Sequence, residues 1–193
     1  MSRPQRIGIF GGTFDPPHVG HVVAALTVAH ELELDRVLLV VANVPWQKAG
    51  EREITRSEHR LAMVRQCVAE WPGLEASSVE IDRGGESYTA DTLEGLAQPD
   101  RRLFLVLGSD AAVNLPTWQR TDPIKELAEV VVIARPGTDH IEPPPGWDWT
   151  TVPSPLMDLS STDLRWRLES GRPVDLLVPE PALAYIRAHE LYR

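Results

Sequence analysis

The sequence predicts a doubly wound α/β fold, with one mainly parallel sheet covered by helices on both faces, in a single domain over residues 1–193. Three observations predict it. Apolar runs of strand length, "RIGIFGG", "RVLLVVAN", "RRLFLVLG" and "EVVVIARPG", recur along the chain. Segments with apolar residues at helical spacing separate them. The runs are apolar at consecutive positions, the pattern of strands buried on both faces.

"RIGIFGG" is a short strand ended by glycines. The next segment carries Val19, Val22, Val23, Leu26 and Ala29 at helical spacing, and "RVLLVVAN" is the second strand. Ser57 is expected to cap a helix over "EHRLAMVRQCVAEW", which Pro72–Gly73 ends. "SVEID" reads as a strand and "TADTLEGLA" as a short helix. "RRLFLVLG" and "EVVVIARPG" are further strands, and "DWTTVP" is the last. "STDLRWRLESG" and "EPALAYIRAHELY" form closing helices over about 161–193. The proline-rich "IEPPPGWDWT" is expected to be a surface loop. Cys67 falls in the helical pattern between Val64 and Val68, so it is assigned to the core.

Composition narrows the partners. The chain is 42% hydrophobic and 24% charged, an ordinary globular mix, with a formal net charge of −9. It has no broad basic surface to replace counterions, which disfavours nucleic acid and anionic membranes as partners. A small anion held at one local site remains compatible. Cys67 is the single cysteine, so no intrachain disulfide can form, and a lone thiol suits a reducing cytoplasm. "MSRPQRIGIFGG" lacks the apolar core of a signal peptide, and no apolar run approaches the roughly 20 residues that span a bilayer. The expected localisation is cytoplasmic. A homo-oligomer is compatible with the sequence, which leaves the oligomeric state open.

Parallel sheets bind ligands beyond the C-terminal ends of their strands. The loops at such ends are "GGTFDPPH", "ANVPWQK", "GSDAAVN" and "ARPG". Gly11 and Gly12 have no Cβ, so a phosphate or ribose can approach the backbone closely. Asp15 and Pro16 suit a turn into a helix. His18 and His21, at i and i+3, can present both imidazoles on one face of the first turn. Free N–H groups and the positive end of the helix dipole lie there. The result is a compact anion trap. Zinc is the weaker reading, because no obvious further ligands accompany the two histidines.

The string "GGTFDPPHVGH" resembles the signature of the nucleotidylyltransferase superfamily, with its H-x-G-H core after the first strand. Its proline-histidine form resembles that of the bacterial nicotinate-nucleotide adenylyltransferases. Phosphopantetheine adenylyltransferases look similar but usually carry Thr at the position of His18, and cytidylyltransferases have a different motif interior. "LSSTDLR", Leu159–Arg165, resembles the S-S-T-x-[ILV]-R motif of the same family. The physics agrees: hydroxyls open a helix whose N–H groups can face an anion, and Arg165 adds a charged fork.

The resemblance covers essentially the whole chain and implies a Rossmann-like nucleotidylyltransferase fold. It implies the reaction of ATP with nicotinate mononucleotide to give nicotinate adenine dinucleotide and pyrophosphate. His18, His21 and Arg165 would serve the reacting phosphates. Gly11, Gly12, Thr13, Phe14, Gly108, Asp110, Ser161 and Thr162 would hold ATP, with Asp110 on the ribose. The segments "VPWQK", "YTADTL", "LPTWQR" and "ARPG" would supply Lys48, Thr89, Trp118, Gln119 and Arg135 to the mononucleotide. Thr89 also reads as a plain helix cap, and Trp118 also reads as core. Many relatives carry an aromatic residue where this chain has Gln119, which leaves its backbone N–H as the expected contact. Mg²⁺ is expected to travel with the ATP phosphates, without a carboxylate cage. Asp15 is at most an outer contact. Two alternatives remain open: the same chemistry on nicotinamide mononucleotide or phosphopantetheine, and a non-catalytic nucleotide-binding sensor.

Overall fold

The apolar runs become the strands of one sheet. In the computed structural model, which describes residues 3–45, 54–134, 142–155 and 157–193, they are β1 (Gln5–Gly12), β2 (Arg36–Val41), β4 (Arg101–Gly108) and β5 (Ala128–Ala134). Two short strands complete the edges, β3 (Leu74–Ser77) and β6 (Thr150–Pro153). The order is β3-β2-β1-β4-β5-β6, and every neighbouring pair is parallel. The helices are α1 (Val19–Glu31), α2 (Ser57–Val68), α3 (Val79–Arg83), α4 (Thr89–Leu96), α5 (Ser109–Ala112), α6 (Thr121–Leu127), α7 (Ser161–Glu169) and α8 (Glu180–Ala188).

Strand β2 shows why consecutive apolar residues were needed. Side chains alternate across a sheet, so Val37, Leu39 and Val41 pack with Met63 and Val64 of α2 and Leu183 and Ile186 of α8. Leu38 and Val40 face the opposite side, with Leu93 of α4 and Ile124 of α6. Burying each such side chain contributes about 1.5–3 kcal/mol relative to exposure. Cys67 lies in the first of these layers. Burial pushes its thiol up to about 12.

Four local expectations are corrected. "SVEID" is not a strand: β3 ends at Ser77, and Val79–Arg83 is the short helix α3. Ser78 closes that turn, accepting the Asp82 N–H on its carbonyl at 2.8 Å and donating its hydroxyl to Asp82 at 2.7 Å. Ser57 does not cap α2; it is the first helical residue, with Arg56 at the cap position. "GSDAAVN" is not wholly a loop: Ser109–Ala112 is the short helix α5, and α6 follows the Trp118 segment. The loop after β5 is not wholly surface, since Trp147 and Trp149 pack against the core and Lys125 lies 4.7 Å over the Trp147 ring. Among the described residues no helix is long and apolar enough to cross a membrane.

Candidate active site

The strand order reverses direction between β1 and β4, the switch point where doubly wound sheets hold ligands. A cavity of about 800 Å³ opens there. Gly11, Gly12 and Thr13 from the end of β1, and Asp110 from α5 after β4, line one part. Thr89, Trp118 and Gln119 line another. Residues assigned to ATP and to the mononucleotide therefore share one chamber. Gly108 ends β4 beside it without lining it. Lys48 and Arg135 lie outside the described residues.

The two glycines differ. No atom lies within 4 Å of a Cβ built on Gly11, so its absence leaves room on the cavity side. A Cβ on Gly12 would stand 2.7 Å from the Phe14 ring, so this glycine makes room for Phe14. Phe14 has a left-handed backbone (φ 50°) and is buried. Its ring meets His21 edge-on, with centroids 5.0 Å apart. Phe14 thus supports a histidine and does not line the cavity.

His18 sits at the cap of α1 and is 7% exposed. The His18 and His21 rings stack with centroids 3.7 Å apart. The His18 backbone N–H donates to His21 Nδ1 at 3.1 Å. A neutral His21 must then carry its proton on Nε2, leaving that nitrogen as a donor. Gly20 has a steric reason as well: a Cβ there would stand 3.0 Å from His18 Nδ1. Neither histidine lines the cavity; the Gly12–Phe14 segment connects them to it.

The start of α7 docks on the same loop. Ser160 caps the helix, accepting the Asp163 N–H at 3.1 Å. The Ser161 hydroxyl donates to the Pro16 carbonyl at 2.8 Å. Arg165 donates from Nη1 to the Asp15 carbonyl at 2.7 Å and from Nη2 to the Thr162 hydroxyl at 3.1 Å. Side chains some 145–150 positions away in sequence therefore brace the histidine loop.

At the other end, Tyr88 occupies the cap position of α4 and Thr89 is its first helical residue. An N–H in a first helical turn has no partner within the helix. Trp118 fits both readings: it is half-buried against the core and also lines the cavity. Its indole nitrogen is buried, with no hydrogen-bond partner among the described residues. Arg120, with φ 56°, pairs with Asp91 and with Glu94 of α4, which ties the Trp118 segment to Thr89's helix.

Three residues escape the sequence reading. Arg60 is 1% exposed and donates to three carbonyls: Thr55 at 2.7 Å, Thr13 at 2.8 Å and Asn43 at 3.0 Å. It joins the loops after β1 and β2 to the start of α2. One signal was available, because Arg60 falls on the stripe of Val64 and Cys67, where a charge needs partners. Glu80 is buried in the cavity wall and accepts from the Thr92 hydroxyl at 2.6 Å. Tyr192, next to the last residue, donates to the Asp15 carboxylate at 2.7 Å. Neither Glu80 nor Tyr192 carries a local signal.

Comparison with known proteins identifies the family of the chain. A family model described as cytidylyltransferase-like matches residues 9–167. A protein of Roseiflexus sp. (strain RS-1), named "Probable nicotinate-nucleotide adenylyltransferase", is 45% identical and covers 97% of this chain and 98% of its own. A protein of the same name from Leifsonia xyli subsp. xyli (strain CTCB07) is 42% identical and covers 100% and 96%. A solved structure of Plasmodium falciparum nicotinic acid mononucleotide adenylyltransferase, complexed with NaAD, shares the fold with a TM-score of 0.78. It is 17% identical, with 97% of each chain covered. The chain belongs to the cytidylyltransferase-like family and, within it, to the nicotinate-nucleotide adenylyltransferases.

Proposed function

We propose that the chain joins ATP and nicotinate mononucleotide into nicotinate adenine dinucleotide, with release of pyrophosphate, as a step of NAD biosynthesis. The observation that carries this reading is the single cavity at the β1/β4 switch point. The room at Gly11 and the Asp110 carboxylate suit a nucleotide, and the Thr89, Trp118 and Gln119 wall suits a carboxylated aromatic ring. A phosphate oxygen of the mononucleotide attacks the α-phosphorus of ATP, the bond to pyrophosphate breaks, and one P–O–P bond forms. That nucleophile is an anion at neutral pH, so no general base is required. Catalysis then rests on alignment and on stabilising charge at the transferring and leaving phosphates.

His18 and His21 donate to oxygens of the transferring phosphate, with His21 using Nε2. Arg165 and the α7 N-terminus take the leaving phosphates. Ser161 spends its hydroxyl on Pro16 and offers the phosphates only its backbone N–H. In this reading Lys48 is a phosphate contact and Arg135 contacts the nucleotide or its phosphates; both lie outside the described residues. The donors at the phosphate end are imidazole, guanidinium and hydroxyl groups, which suit phosphate oxygens better than a metal. Among the described residues no cluster of three or more His, Cys, Asp or Glu could hold one. That donor set fits Mg²⁺ carried on the ATP phosphates with water as its other ligands, where it would neutralise phosphate charge. A cytoplasmic setting is part of the proposal and rests on the lone Cys67 thiol.

The test is pyrophosphate release by the purified protein with ATP and Mg²⁺, comparing nicotinate mononucleotide, nicotinamide mononucleotide and phosphopantetheine. Fastest release with the nicotinate form is the expected result. Faster release with another acceptor would overturn the assignment of Thr89 and Trp118. Silence with all three, in folded protein that binds ATP, would establish a nucleotide sensor instead.

A further inference from the structure

Arg60 holds the front of the loop that carries His18, at Thr13, and the far end of the chain holds the part nearest His18. Ser161 binds the Pro16 carbonyl, Arg165 binds the Asp15 carbonyl, and the Leu177 carbonyl accepts the Val19 N–H at 3.0 Å. These three contacts reach only the loop's backbone. A fourth reaches a side chain: the Tyr192 hydroxyl donates to Asp15 Oδ1 at 2.7 Å. Asp15 is 1% exposed, so its carboxylate depends on such donors in place of water.

Tyr192 sits where several elements meet. The Thr55 side chain is close enough to act on its hydroxyl, and Met63 Sδ of α2 lies 3.9 Å away. The Arg165 charge is close enough to act on it. Burial first, and then the Asp15 charge, push the phenol well above its ordinary range, so at neutral pH it is a donor.

We propose that Tyr192 is a positioning residue for adenylyl transfer: its hydroxyl fixes the Asp15 carboxylate and, through it, the loop that aims His18 and Arg165 at the phosphates. This rests on the function proposed above. Packing alone would be satisfied by a phenyl ring at this position. The hydroxyl matters because it orients a buried carboxylate three residues before His18, on the residue whose carbonyl also anchors Arg165. Tyr192 is placed to act on the chemical step, because it lies behind the loop and does not line the substrate cavity.

The experiment is a cycle of Tyr192→Phe, Asp15→Asn and the double variant. It measures kcat and the KM of ATP and of nicotinate mononucleotide, with thermal unfolding of each protein. Tyr192→Phe is expected to lower kcat about tenfold, the order for a displacement of a few tenths of an ångström where 1 Å costs about 10²-fold. Both KM values should stay within about twofold, and the double variant should be no slower than Asp15→Asn alone, as for residues acting as one unit. A Tyr192→Phe enzyme with full kcat would overturn the proposal. So would losses that multiply in the double variant, or a kcat loss that merely tracks the folded fraction. A wild-type protein inactive with every acceptor would refute the proposed reaction itself, which the variants cannot mimic.

Discussion

Gly20→Ala separates catalysis from folding in a way few substitutions can. Gly20 lies in the first turn of α1, where alanine is intrinsically favoured over glycine by up to about 1 kcal/mol. Backbone propensity therefore predicts an equal or more stable protein. The added Cβ would nevertheless stand 3.0 Å from His18 Nδ1 and 3.1 Å from Cε1, where ordinary contact begins at 3.4 Å. The His18 ring must give by about 0.4 Å, and it has little slack because it is stacked on His21 at 3.7 Å. If a 1 Å error in alignment costs about 10²-fold, this shift costs roughly five- to tenfold in kcat. Pyrophosphate release at saturating ATP and nicotinate mononucleotide reads the rate, and thermal unfolding reads the fold. Full kcat in a normally folded variant would refute the claim that the His18 ring position limits the reaction. A rate loss matched by a lower Tm would point to backbone damage instead.

Three further outcomes are expected. Trp118→Ala should raise the KM of the mononucleotide about tenfold or more, since stacking on an aromatic base is worth about 1–3 kcal/mol, and should spare ATP; equal losses for both substrates would leave Trp118 as core support only. Arg60→Met removes three charge-assisted bonds and should cost at least about 3 kcal/mol, read as a fall in Tm of about 6–12 °C; a loss under about 1 kcal/mol would mean that water replaces the guanidinium at all three carbonyls. Cys67 should resist alkylation in the native protein at pH 8, because only about 10⁻⁴ of a thiol pushed up to about 12 is thiolate there. Above about pH 8.5 the unfolded chain loses that proton while the native chain keeps it, so this group's contribution to stability falls as pH rises towards 12. Rapid labelling of folded protein would contradict the burial of the thiol.

The histidine loop was legible because its chemistry is local. Gly11, His18, Gly20 and His21 lie within eleven consecutive residues, and their spacing alone puts them at one strand end and one helix start. The sheet was legible for a similar reason, since β2 needs apolar residues on both faces and shows them consecutively. "SVEID" misled because alternation between Val79 and Ile81 also fits one helical turn whose intervening glutamate is buried against Thr92. Of the two readings of Thr89, the cap reading fails by one residue, because Tyr88 holds the cap position.

The sequence by itself determined the parallel sheet, the glycine-and-histidine turn after β1 and the hydroxyl-and-arginine start of α7, because periodicity and short-range spacing act through neighbouring bonds. Only the tertiary structure decided what those parts do to one another. It showed Gly12 yielding space to Phe14, Ser161 bracing Pro16, and Arg60 closing three loops with one guanidinium. It also set the Tyr192 hydroxyl against an aspartate 177 positions away. A buried charge takes its partners from whatever the fold brings within hydrogen-bond reach, and that reach is set by packing rather than by distance along the chain.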